Sequence, residues 1–190
     1  MKKLSLTLLL FSFIFGSFVA IADNDKNQAN HDINIGISKH ALVGLSSSGP
    51  IELSPAAPTE AGMGLDFNAS SATDNSLWLN YSSITGRAGN TIDVAMAAPT
   101  LPKGVGIELV VAKDAGKGKG KVGEVAMETV TLGPHPKIFI KNIKNGYTGK
   151  GEGAGHQLTY RLTMDGSSEN YEALTTGAYT VRVTYTITSF

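Results

Sequence analysis

Residues 174–190 read LTTGAYTVRVTYTITSF, and this stretch decides the fold class. Tyr179, Val181, Val183, Tyr185 and Ile187 fall on one face of an extended chain, and Thr180, Arg182, Thr184, Thr186 and Thr188 fall on the other. That strict period of two predicts a half-buried β-strand, because a helix would scatter the same positions around its circumference. The β-branched and aromatic content points the same way. No sequence follows this strand, so its neighbours are expected from earlier in the chain or from another molecule.

Working outward, strand candidates are Ile33 to Ile37, Ala41 to Val43, Ile51 to Leu53, Met63 to Phe67, Leu77 to Tyr81, Thr91 to Met96, Ile107 to Ala112, Met127 to Leu132, Lys137 to Ile143 and Leu158 to Met164. Gly, Pro and Ser separate them. Only Ser168 to Leu174 has the look of a helical turn. Many short strands with Gly-rich connections predict an all-β fold, an antiparallel β-sandwich of the Ig-like or Greek-key kind. Absence of an internal repeat argues against a propeller or solenoid.

Lys2 and Lys3 precede an uncharged apolar run from Leu4 to Ala20, and Ala20-Ile21-Ala22 supplies the small residues of a cleavage site. Residues 1–22 are therefore expected to be a secretory signal peptide, residues 23–32 a flexible polar tail, and residues 33–190 a single β-sandwich domain. The expected location is secreted: periplasm, cell surface or extracellular space. The chain carries 16 basic and 16 acidic residues, and losing the leader with its two lysines leaves a net charge of −2. No basic surplus points to nucleic acid. The mature form contains no further apolar run of membrane-spanning length. It contains no cysteine either, so neither disulfides nor a lipidated cysteine is available.

The block Leu174 to Tyr179 resembles the tyrosine corner of Greek-key sandwiches, in which a Tyr near the start of the penultimate strand bonds back to the chain entering it. That places the last strand as an F-type strand without the G strand that would follow. Chaperone-usher pilins and spore-coat-U-like subunits show a similar ending, a Gly-led alternating strand closing on an aromatic, here Gly177 to Phe190. The resemblance implies that Ile33, Ile35 and Ile37, behind the tail, act as a donor strand for a neighbour; the alternative is that they fold back on their own sandwich. Ser189 stands where many pilins have Tyr, and the pilin disulfide is missing. A second resemblance covers most of the mature chain. Ala57 to Gly62, Asn75 to Ser83, Tyr147-Thr148-Gly149 and Gly155 to Tyr160 resemble blocks of an uncharacterised family of secreted bacterial β-proteins, which implies export and an all-β fold and carries no activity.

No chemical motif is complete. Gly116 to Lys121 alternates Gly and Lys, yet Val122 follows where a phosphate loop needs Ser or Thr and a helix; it reads as a basic hairpin loop, with a polyanion patch as the alternative. Gly149, Gly151, Gly153 and Gly155 alternate, but Ala154 occupies the last glycine position of a dinucleotide fingerprint and a strand follows, so an irregular connection with positive φ is expected. His31, His40, His135 and His156 lack metal-ligand spacing. Asp23-Asn24-Asp25 lacks the rest of a calcium loop. Gly44 to Ser48 is not a nucleophile elbow. No catalytic, cofactor or metal residue is therefore expected, and the chain does not read as an enzyme. Trp78 alternates against Leu77, Leu79 and Tyr81; it either packs between sheets or forms an exposed ligand platform for a sugar ring. Asn68 and Asn80 head glycosylation sequons.

The sequence thus predicts a structural or adhesive surface or fibre component whose C-terminal strand edge, Tyr179 to Ile187, accepts an extended segment. Its partners would be itself or another surface subunit. The alternative is a monomeric secreted carbohydrate-binding module, with glycans as partners.

Overall fold

The computed structural model describes residues 30–86, 88–97 and 101–188. The expected leader, most of the expected tail and the last two residues lie outside this range. The chain divides into two units, Met1–Gly36 and Ile37–Phe190, and the second carries every strand among the described residues.

The elements in chain order are β1 (His40–Leu45), a 3-10 turn (Ser70–Ala72), β2 (Thr73–Ile84), β3 (Asn90–Met96), β4 (Val105–Asp114), β5 (Lys119–Gly120), β6 (Glu124–Val125), β7 (Thr129–Thr131), β8 (Lys137–Ile143), β9 (Gly146–Tyr147), β10 (His156–Met164), α1 (Ser168–Glu172) and β11 (Val183–Thr188). They form two antiparallel sheets. The first runs β5-β9-β2-β10-β4-β7, with β1 on the far side of β2; the second runs β11-β3-β8-β6. The protein is an all-β sandwich, and its chain changes layer at almost every long strand, so few neighbours in space are neighbours in sequence.

Alternation explains the core. In β2 Leu77, Leu79, Tyr81 and Ser83 are buried while the residues between them are not, and β3 buries Asn90, Ile92, Val94 and Met96 in the same rhythm. Leu109, Phe139, Ile140, Ile143 and Leu158 complete a cluster wholly withdrawn from water. Trp78 sits on the opposite face of β2 from that cluster and is only half-buried, so Leu77, Leu79 and Tyr81 are the residues that pack between the sheets.

Four expected strands differ. Ile33 to Ile37 and Ile51 to Leu53 form no strand and pair with no strand among the described residues, Met63 to Phe67 contributes one bridge between Ala56 and Asp66, and Met127 to Leu132 shortens to Thr129–Thr131. Apolar alternation marks a half-buried extended segment, and a ladder needs a partner as well. The last strand also begins later than its pattern, at Val183. Tyr179 lies before it, its hydroxyl donating to the Thr175 carbonyl at 3.0 Å and lying 2.5 Å from Thr175 Oγ1. Tyr179 thus bonds back to the chain that leads into the strand.

Candidate functional site

β1 borders the first sheet and β11 borders the second, on the same side of the sandwich, with an open groove of about 380 Å³ between them. Ser46 N–H donates to the Trp78 carbonyl at 2.8 Å, which fixes the phase of the β1–β2 ladder. Leu42 and Gly44 therefore exchange bonds with Ser82 and Asn80, and the N–H and C=O groups of Ala41, Val43 and Leu45 point away from β2. Ala97 N–H donates to the Arg182 carbonyl at 2.9 Å and sets the other ladder the same way. Thr184, Thr186 and Thr188 face β3 with their backbone groups, and Val183, Tyr185 and Ile187 turn theirs toward the border. Among the described residues no strand pairs with either outer edge.

The side chains lining the groove are mostly apolar, with Ser47, Ser48 and Thr184 among them. Val43 and Leu45 form one wall, Val183 and Tyr185 the other, and Leu79 lies at the floor. Tyr185 anchors its wall: its hydroxyl lies 2.5 Å from that of Tyr160 on β10, and its ring meets Phe139 edge-on at 5.8 Å. Burial pushes the phenols of both Tyr160 and Tyr185 upward, so both stay neutral. Val181, Val183, Tyr185 and Ile187 all pack against the core, whereas Tyr179 is exposed and takes no part in the edge. Ile33, Ile35 and Ile37 are 73, 84 and 81 % exposed. The contribution of β1 is the part that sequence reasoning missed. HALVGL reads as a strand, but nothing local says that it would stand opposite the last one.

A second polar cluster lies elsewhere. His156 is buried, with Nε2 2.9 Å from the Tyr81 hydroxyl and Nδ1 2.8 Å from the Ala112 carbonyl. The two rings stack, 5.8 Å apart and inclined by 11°. The Tyr81 hydroxyl also donates to the Val122 carbonyl. Burial pushes the His156 pKa down, outweighing the Ala112 carbonyl and the Asp114 carboxylate, so the imidazole is held neutral. Burial likewise raises Tyr81. A cavity of about 260 Å³ beside them is lined by Lys113, Asp114, Glu124, Glu128 and His156, with no Ser, Thr or Cys nucleophile. The cluster ties β2, β4, β10 and the 115–123 segment together. Among the described residues no group of three or more His, Asp or Glu side chains is placed to hold a metal ion.

The glycine loop does what its spacing predicts. Gly149, Gly151, Gly153 and Gly155 all have positive φ, and a Cβ on Gly155 would lie 2.1 Å from the Leu79 carbonyl oxygen. Asn80 holds the loop down, donating to Ala154 O at 2.6 Å and accepting from Gly151 N–H at 2.7 Å. That sequon side chain is therefore engaged in the fold, whereas Asn68 is exposed.

Comparison of the chain with models of known protein families, with curated proteins and with solved structures finds no match. No helix among the described residues is long and apolar enough to cross a membrane.

Proposed function

We propose that this chain is an exported structural or adhesive component of a cell surface or its fibres, assembling by β-strand complementation. One observation carries the reading: two edges with outward-facing backbone groups flank one apolar groove. An extended peptide added to the β11 edge would satisfy its outward row of hydrogen-bonding groups while its alternate side chains lie over Val183 and Tyr185. Ile33, Ile35 and Ile37 of a second copy have the matching pattern, sharing one face of an extended segment and standing exposed in their own chain. Burying each would contribute about 1.5–3 kcal/mol. Ser38 and Lys39 are all that separates Ile37 from β1, and neither is a residue that readily supplies the positive φ of a tight hairpin, which favours donation to a neighbour over insertion at home.

Deleting residues 23–38 is expected to abolish oligomers on gel filtration while leaving the thermal unfolding of the sandwich in place, and a peptide of residues 30–38 is expected to bind the truncated protein. Unchanged oligomer size after the deletion would count against the proposal.

A further inference from the structure

Away from the seam, the segment 117–121 runs antiparallel to 144–150. Lys119 pairs with Tyr147 and Gly120 with Gly146, Lys121 N–H donates to the Asn145 carbonyl at 3.0 Å, and Lys144 N–H donates to the Lys121 carbonyl at 2.9 Å. The glycines alternating with the lysines are what lets the backbones meet. A Cβ on Gly118 would lie 1.6 Å from the Tyr147 carbonyl oxygen, and one on Gly120 would lie 2.2 Å from that of Asn145. Lys117, Lys119, Lys121, Lys144 and Lys150 are left exposed on this ribbon. None of them takes part in either ion pair among the described residues, Lys103 with Glu169 and Lys141 with Glu124. Segments 115–123 and 144–152 carry these five lysines and one acid, Glu152, in a chain whose 16 basic and 16 acidic residues balance overall.

We infer that this ribbon binds an acidic polysaccharide, a glycan chain bearing carboxylate or sulfate groups. Five like charges on one paired ribbon repel one another and draw in counter-ions, so a polyanion is their natural complement. Tyr147 selects the kind of polyanion. It is 47 % exposed and stands directly opposite Lys119, so both side chains are presented on the same face of the ribbon. A charged sugar offers an apolar ring face to the first and an anion to the second. Nucleic acid fits less well: the ribbon has no Arg for bidentate phosphate contacts, and the sequence pI of about 6.9 lacks the basic footprint of such domains. The surface is also preorganised, because Thr148 is buried with its hydroxyl accepting from Tyr81 N–H at 3.0 Å and Asn80 pins the adjoining loop.

The test uses the full chain on immobilised heparin and on polygalacturonate, with single-stranded DNA and anionic phosphatidylglycerol vesicles as competitors. Retention at low salt and release by rising salt are expected. The triple variant Lys117→Gln, Lys119→Gln, Lys121→Gln should bind about tenfold or more weakly, and Lys103→Gln with Lys137→Gln should bind as the parent does. Tyr147→Ala should weaken glycan binding roughly two- to tenfold without changing its salt dependence. Far-UV circular dichroism checks that the triple variant is folded; if it is not, Tyr147→Ala and the single Lys119→Gln decide the matter. Absence of retention, equal loss with the control lysines, or preference for DNA or vesicles would overturn the inference.

Discussion

The two lateral borders of the sandwich are finished in opposite ways. At one, residues 124–131 cross from sheet to sheet. β6 pairs with β8 and Ala126 N–H donates to Phe139 O at 2.7 Å in the second layer; then Glu128 O accepts from Val111 N–H at 2.8 Å and β7 pairs with β4 in the first. One short segment stitches both layers, and the edges it leaves are two and three residues long. At the other border no segment of the described chain does this. β1 and β11 are each six residues long, and both turn unpaired backbone groups toward the groove. Short edges limit unwanted pairing, and long unpaired ones invite it. The asymmetry rests on a single architectural difference, a sheet-switching strand present on one side and absent from the other.

The sharpest way to break the comparison is at Tyr185, which ties the otherwise one-sided β11 to Phe139 and Tyr160. Tyr185→Ala is expected to cost about 3–5 kcal/mol in urea unfolding, a loss that would also erase one wall of the groove. A finer contrast lies within β1. Leu42→Pro removes an N–H bonded to Ser82 and should cost about 1–3 kcal/mol, although its side chain is exposed. Ala41→Pro removes an N–H that points to the border, so it should melt close to the parent while blocking self-association on gel filtration. Equal destabilisation by both prolines would mean that the β1 edge is not open. The smallest effect belongs to the stitched border, beside which His156 lies. Its pKa is lowered in the folded state, so between the ordinary value of about 6.5 and the lowered one the unfolded chain holds the extra proton. Stability is therefore full above that pH and falls as the pH drops through it. Urea midpoints measured from pH 7.5 to 5 should show this decline, and His156→Gln should flatten its part.

Alternation in Leu77–Tyr81, Thr91–Met96, Ile107–Ala112, Lys137–Ile143 and Leu158–Met164 made the long strands legible, because the side-chain period of a half-buried strand is written locally. The positive φ of the glycine loop and the Tyr179 contact to Thr175 were legible for the same reason, since each depends on a few adjacent residues. Ile33–Ile37 and Ile51–Leu53 show the limit: the same alternation appears, but among the described residues they join no ladder. By itself, then, the sequence determined an all-β chain and which face of each long strand is apolar. Only the tertiary structure decided that β1 stands opposite β11, that Trp78 faces outward, that His156 is buried against Tyr81, and that the lysine–glycine run is zipped to Tyr147. The reason is physical: patterning acts over a few residues, whereas sheet edges, grooves and paired ribbons are made by strands distant in the chain, and their partners are fixed by packing the whole core at once.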